Sequence, residues 1–434
     1  MSSLKPITEH TKPIRPVTVA QFGGGVFLRG FFDWMLQKAN DAGGYNGNAT
    51  VIRAKTRGAD PLADQNYLYT HVARDGENCD VTLIDSIAGS LNPTESPDAF
   101  FALAISPTLE SVVSNTTEAG IVYEYCEFTE DTVPEAFPAR LTRLLYERYK
   151  AGLSGLLILP CELIENNGSS LCEIVKKHAE DWSLGSDFIA WLDRECSFRN
   201  TLVDRIVSGR TEEKLKLPYA DNAVNTGEFF HLWVIEGEED DRLPFASVGM
   251  NIKWVPDVNE YRMLKVRILN GAHTAMIPFA LLSGVETVGE CMKTEITRGH
   301  LTACLFEEII PSLGENMTEA ATAYAKEVIK RFENPYICHH CEAISLNSVS
   351  KFKVRVLPSI LEYRKIHGKS PRNLIFSFAQ LIKFYQYGTP KDDEYVISFI
   401  RSSTIGEILS SQALWGTDLS YLASEIENQI SERN

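Results

Sequence analysis

Positive charge is in short supply in this 434-residue sequence: 42 Lys and Arg stand against 58 Asp and Glu, a formal net charge of −16. So acidic a chain excludes a nucleic-acid partner, because phosphate binding needs a basic surface. Long hydrophobic runs are missing too. Runs such as Leu156–Leu159 and Met276–Leu282 fall far below the roughly 20 apolar residues that span a bilayer, so no membrane partner is expected. The opening MSSLKPITEHTKP lacks the apolar core of a secretory signal. Cysteine is sparse and irregular. Nine residues, an odd number with no regular spacing, read as reduced thiols and not as a disulfide framework. The expected compartment is therefore the cytoplasm. Internal repeats and low-complexity segments are absent, which argues against a pure interaction protein built from arrays.

What is present is the balance of a soluble globular protein, 44% apolar and 23% charged residues, in a chain long enough for two cores. The first part alternates short β-branched runs with helical stretches, the pattern of a parallel α/β sheet. Strands are predicted at Val17–Phe22, Thr50–Ala54, Val81–Ile84, Ser111–Ser114, Gly120–Tyr123 and Leu156–Leu159, with helices at Val26–Ala39, Pro138–Ala151 and Ser169–Ala179. After about Pro256 helical periodicity takes over, at Glu260–Ile277, Met317–Phe332, Ser350–Lys365 and Arg372–Tyr387. The expected organisation is an α/β domain over 1–256 and an all-α domain over 257–434, with the acidic GEEDDR at 237–242 as a solvated loop.

The segment Val17–Asn40, VTVAQFGGGVFLRGFFDWMLQKAN, is a β-branched run that ends in three glycines and passes into a helix. Glycines at such a turn let backbone approach a pyrophosphate, and the following helix start offers free N–H groups. Gly23 and Gly25 supply G-x-G, but Leu28 stands where a third glycine is expected. Alone, the motif is also what an unliganded strand–helix turn looks like. Arg29 reads equally as a phosphate contact or a solvated charge. The second strand ends in Arg53, Lys55 and Arg57 with no acid. A ribose diol calls for Asp or Glu there, whereas basic residues suit a 2′-phosphate, so this end leans toward NADP.

The chemically informative stretch is Tyr261–Ala275, YRMLKVRILNGAHTA. At 100° per residue Lys265, His273 and Asn270 fall at about 0°, 80° and 140°, while Leu264, Ile268 and Ala275 fall at about 260–300°. One side packs and the other presents Lys, Asn and His. Those types suit carbonyl reduction. Hydride arriving at carbon builds charge on oxygen, which a Lys with a burial-lowered pKa can protonate and an Asn amide can hydrogen-bond. The triplet by itself is equally a solvated helix lysine beside a satisfied core histidine.

Five segments in order, GGGVFLR at 23–29, SNTTEAG at 114–120, PCELIENNG at 160–168, FRNTLVDRI at 198–206 and KVRILNGAHTA at 265–275, resemble the polyol-specific long-chain dehydrogenases, the mannitol dehydrogenase family. The pairing of V-D-R-I with K-x-x-x-x-N-x-x-H is the most specific part. The resemblance implies a Rossmann-type N-terminal domain and a helical C-terminal domain, with no metal. It implies Lys265 as general acid/base, Asn270 as oxyanion donor and His273 as substrate contact. It further implies substrate contacts at Asp204 and Lys351, a cofactor turn formed by Gly23, Gly24, Gly25, Phe27 and Arg29, and a nicotinamide side lined by Thr116, Thr117 and Glu118. Relatives of this kind are often monomers, so a monomer or small homo-oligomer is expected.

Departures from the mannitol-type pattern bear on the substrate. Leu163 stands where those relatives carry a second oxyanion Asn, leaving Asn270 alone or with Asn167. Arg262 stands in place of a Glu, and Ala343 in place of a substrate-binding Arg. PCELI and the R-x-x-K-V-x-x-L-N-G-A-H-T pattern resemble the tagaturonate reductase (altronate oxidoreductase) branch, whose substrate is a keto-uronic acid. Arg262 or Lys351 is the expected partner of its carboxylate. That branch is associated with NAD, and NAD is taken as the cofactor over the lean toward NADP. The expected function is NAD-dependent, reversible reduction of D-tagaturonate to D-altronate; fructuronate reductase, mannitol 2-dehydrogenase or a non-catalytic cofactor-binding regulator are the alternatives.

Two other motifs are set aside. Tyr261-x-x-x-Lys265 matches the short-chain dehydrogenase dyad, but the glycine turn of those enzymes is absent. Cys338-His339-His340-Cys341 resembles a zinc motif, yet four consecutive residues cannot all reach one tetrahedral ion and no second pair follows at finger spacing.

Overall fold

A computed structural model of the chain describes residues 4–53, 60, 62–116, 120–210 and 215–431. The chain forms two compact units, Met1–Val258 and Asn259–Asn434.

The first unit is built on six parallel strands: β1 (Val17–Phe22), β2 (Asn48–Ile52), β3 (Ile87–Leu91), β4 (Ser111–Ser114), β5 (Leu157–Pro160) and β6 (Ser197–Phe198). Their spatial order is β3-β2-β1-β4-β5-β6, the doubly wound dinucleotide-binding order in which the strand direction of travel reverses beside β1. Both faces are covered, as a parallel sheet requires. Val19 packs with Phe31, Phe32, Met35 and Trp233 on one face, while its neighbour Ala20 packs with Val112, Ile158, Leu141 and Leu144 on the other. The two-residue side-chain period of a strand divides one short sequence between two cores.

Several predicted elements are corrected. The Gly120–Tyr123 segment is not a strand; it runs on as irregular chain after β4. Val81–Ile84 does form a strand, Cys79–Ile84, but it pairs antiparallel with Tyr69–Arg74 in a separate four-stranded sheet that Asn225–Gly227 and Val207–Gly209 complete. A third sheet orders Thr201–Asp204, Leu232–Glu236 and Ile252–Val255. Short runs such as Asn225–Gly227 carry no alternation for sequence to reveal. The helix expected over Val26–Ala39 is two, Val26–Gly30 and Phe32–Asp41, because Phe31 leaves helical geometry at φ −124° and ψ −77°.

The second unit is helical, around a core that includes Met276, Ile277, Phe352, Phe378, Leu381 and Trp415. Ser350–Lys365 divides into Ser348–Arg355 and Leu357–His367. Pro358 supplies no backbone N–H and sits in the first turn of the second helix, where none is needed. Arg372–Tyr387 forms as predicted.

Candidate functional site

At the end of β1 the glycines have separate tasks. Gly23 adopts φ +109°, and a Cβ there would lie 2.8 Å from the Asn115 carbonyl oxygen; backbone from β1 and β4 touches at this point. Gly24, Gly25 and Val26 are exposed, and a Cβ on Gly25 would meet nothing within 4 Å. The space beside Gly25 is thus open to a ligand, while Gly23 is held by protein. Arg29 lies over the Tyr69 ring at 5.6 Å, and its buried Nε has no hydrogen-bond partner. Phe27 stacks on Phe31 at 5.1 Å.

The third glycine absent from position 28 is found two residues later. A Cβ on Gly30 would lie 2.7 Å from Val207, and 2.9 Å from both Asn225 and His71, so the close helix–sheet approach is made at Gly30. Buried Arg205 fixes the same place. It donates to the Gly30 carbonyl at 2.6 Å and, through Nε and Nη2, to the Glu228 carbonyl at 3.0 and 2.9 Å. Its guanidinium lies 4.1 Å from the Trp34 ring, and burial lowers its pKa to about 9. The V-D-R-I element therefore carries a structural arginine beside Asp204, which is buried at the end of its strand.

Glu162 was not singled out as a site residue from the sequence, although PCELI contains it. The side chain is buried and accepts from Ser114 Oγ at 2.9 Å, Thr116 N at 2.8 Å and Thr116 Oγ1 at 2.9 Å. Burial raises its pKa, and those donors pull it back down. Glu162 thereby holds Thr116 at the tip of β4. Thr117 and Glu118, along with Lys55 and Arg57 after β2, lie outside the described residues. The carbonyl of Arg53 is held by Arg140 Nη1 at 2.8 Å.

Asn167 was a candidate oxyanion partner. Its Nδ2 donates to the carbonyls of Pro160, Glu162 and Thr201 at 2.9–3.1 Å, and its Oδ1 accepts from the N–H groups of Gly168 and Thr201. An amide so engaged has nothing left for a substrate; it staples β5 to the Thr201–Asp204 strand.

In the helical unit the 100° spacing assumed for Lys265 to His273 does not apply. Asn259–Leu264 is α-helix, Lys265–Asn270 is π-helix and Gly271–Leu282 returns to α. Since π bonds run i→i+5, Asn270 falls one turn above Lys265 instead of far round the helix. Arg267 pins this segment from outside, donating to Ser359 Oγ at 2.7 Å and Ser312 Oγ at 3.1 Å, and Thr274 Oγ1 takes up the Asn270 carbonyl at 2.8 Å. Lys265 is 8% exposed; Arg262 and Asn270 are half-buried.

His273 is 5% exposed. Its ring lies flat on Phe332, centroids 4.1 Å apart, with His339 edge-on at 5.2 Å. Burial first, then the charges of His339, Arg355, Arg331 and Lys351, holds it neutral, its pKa well below the usual histidine value. Lys351 is half-buried and donates to the Ile344 carbonyl at 2.8 Å. A concavity of about 790 Å³ elsewhere in this unit, lined in part by His300, Glu307, Lys369 and Arg372, contains none of the expected site residues. Among the described residues no group of three or more His, Cys, Asp or Glu could hold a metal ion, and no helix is long and apolar enough to cross a membrane.

The family model of the mannitol dehydrogenase Rossmann domain matches residues 17–246, and that of the mannitol dehydrogenase C-terminal domain matches residues 257–430. The altronate oxidoreductase of Bacillus subtilis (strain 168) is 40% identical over 433 residues, covering 93% of this chain and 89% of its own length. That of Halalkalibacterium halodurans is 37% identical over 463 residues, covering 96% and 90%. Among solved structures, Pseudomonas fluorescens mannitol 2-dehydrogenase, in a ternary complex with NAD and D-mannitol, shares the fold with a TM-score of 0.76 at 20% identity, over 100% of this chain and 94% of that one.

Proposed function

This chain belongs to the mannitol dehydrogenase family, and on that footing we propose that it reduces D-tagaturonate to D-altronate with NADH, reversibly. It is an oxidoreductase of a sugar acid, and the observation that carries the choice of substrate is the near-full-length 40% identity to an altronate oxidoreductase.

Bound at the Gly23–Gly25 turn, the nicotinamide cofactor supplies or accepts the hydride. The openness beside Gly25 and the buried, unpartnered Arg29 Nε suit a diphosphate there, with Phe27, Gly24 and Thr116 nearby in the chain. Lys265 gives a proton to the oxygen that becomes a hydroxyl and removes it in the oxidative direction. Asn270, one π turn along, donates its amide N–H to the same oxygen as negative charge builds. A neutral His273 can hydrogen-bond a substrate hydroxyl without adding a charge. Asp204 positions the sugar chain, and Lys351 or Arg262 meets the carboxylate.

The test is turnover of NADH with D-tagaturonate, D-fructuronate and D-fructose compared side by side, then with NADPH. Strongest turnover on D-tagaturonate with NADH is expected. Turnover on the neutral ketose alone would overturn the sugar-acid assignment, and preference for NADPH would overturn the choice of NAD.

A further inference from the structure

We infer that Cys338, Cys341 and Cys291 form a peroxide-responsive thiol relay: oxidation enters at Cys338 and ends as a Cys291–Cys341 disulfide that displaces His339 from the His273 ring. This is a modification site, separate from the reaction proposed above.

Cys338 and Cys341 stand in C-x-x-C spacing, which is that of thiol–disulfide exchange motifs. The fold gives the three thiols different surroundings. Cys338 is exposed, whereas Cys291 and Cys341 are both 0% exposed. The buried two meet Sγ to Sγ at 3.9 Å, although 50 residues separate them in sequence. Backbone bonds fix the contact: Cys341 N–H donates to the Glu286 carbonyl at 2.8 Å, and Val288 N–H to the His339 carbonyl at 3.0 Å. Thr287 and His340 form an antiparallel bridge between them. Two buried thiols alone pack as small apolar side chains do; the exposed third thiol on the same segment gives them access to an oxidant. His340 Nε2 lies 3.4 Å from Cys338 Sγ, close enough to take the thiol proton. The bond to Cys291, and then burial, push the Cys341 thiol up, so the exposed thiol reacts first.

The steps balance with hydrogen peroxide as the oxidant. The Cys338 thiolate attacks one peroxide oxygen and the O–O bond breaks, leaving a sulfenic acid and a hydroxide that takes the thiol proton back from His340 as water. The Cys341 sulfur then attacks the sulfenic sulfur, and its proton leaves with the hydroxyl as a second water. Cys291 next attacks the Cys341 sulfur of that disulfide, and Cys338 departs with the proton that Cys291 gives up. Two thiols and one peroxide have become one disulfide and two waters. Closing the last bond draws Cys341 toward the Val288–Lys293 helix, which carries Cys291. His339, two residues before Cys341, stands edge-on to His273 at 5.2 Å, so the movement reaches that ring.

The test treats the purified chain with hydrogen peroxide, alkylates the remaining thiols under denaturing conditions and reads the peptides by mass spectrometry. A Cys291–Cys341 linked peptide that dithiothreitol removes is expected. Turnover of NADH with D-tagaturonate should fall on the order of 100-fold, the effect of a displacement of about 1 Å at a reacting site, and return with the reductant. Cys338→Ser should keep full turnover before treatment and form the link at least about 10-fold more slowly. Cys291→Ser should stop at the Cys338–Cys341 disulfide, and Cys291→Ala repeats that test if serine disturbs the core. Peroxide that leaves Cys291 and Cys341 open to alkylation, or links them as fast in Cys338→Ser, overturns the relay. A link formed with turnover unchanged overturns its hold on His339. The peptides are read without substrate, so untreated protein that never turns over D-tagaturonate counts against the proposed reaction and not against the relay.

Discussion

His273 lies on Phe332 with ring centroids 4.1 Å apart and planes 10° from parallel, so one histidine of the proposed site is fixed by an aromatic face and kept neutral by the same burial. Its protonation requires acid well below the ordinary histidine range. His273→Gln should therefore lower kcat/KM on the order of 100-fold, as loss of a positioned donor does, without moving the acid limb of the pH–rate profile. A limb that shifts in this variant would mean that His273 titrates during turnover.

Lys265→Met should cost on the order of 100- to 10,000-fold in kcat, the range of a lost general acid/base. The lysine is 8% exposed, so an unbranched apolar side chain of similar length should leave the unfolding midpoint unchanged or raise it. Cofactor affinity, read by fluorescence, should stay within experimental scatter. Near-normal turnover of this variant would remove Lys265 from the chemistry.

Gly25 and Gly30 should separate binding from folding. Gly25→Ala meets nothing within 4 Å, so its Tm should hold while cofactor Kd rises. Gly30→Ala drives a methyl into Val207, Asn225 and His71, an overpacking that costs about 1–3 kcal/mol, and should lower Tm. The reverse pattern in calorimetry and cofactor titration would show the turn to be purely structural.

Asp33 gives stability a pH dependence. The carboxyl is 1% exposed, and burial raises its pKa to about 7 against the lowering effect of Tyr69, Arg29 and Gln21. Unfolded, it titrates near 3.9. Between these values the folded state holds the proton and the unfolded state releases it, so stability falls as pH rises from about 4 to 7 and levels off above. The displacement corresponds to at most about 4 kcal/mol. Asp33→Asn should gain on wild type at pH 8 and show no gain at pH 4 in urea titrations; a gain that does not vary with pH would place the cause in packing.

Local chemistry explains which parts were legible. Val17–Phe22, Ser111–Ser114 and Arg372–Tyr387 were read to the residue because the strands are β-branched and the helix has a sustained apolar face. The glycine turn was visible because few residue types do what a tight strand–helix turn requires. Gly30 was passed over because its constraint comes from Val207, Asn225 and His71, distant in sequence. Glu162 lay inside a quoted motif, but only folding shows its carboxylate holding Thr116. Saturation of Asn167 was invisible likewise, since two of its bonds go to Thr201, distant in sequence. The π segment escaped because hydrophobic periodicity assumes a single helical repeat.

That π segment is a matter of chain length as much as of geometry. A π turn holds one residue more than the α turn spanning the same ends, so Lys265–Asn270 behaves as a one-residue insertion accommodated without a loop. Deleting Val266 should let Asn259–Leu282 close into continuous α-helix with Lys265 and Asn270 four apart, still one turn from each other on the same face. The π turn thus lets this locus carry an extra residue without parting the pair, a tolerance to single-codon deletion that a substitution scan would never sample.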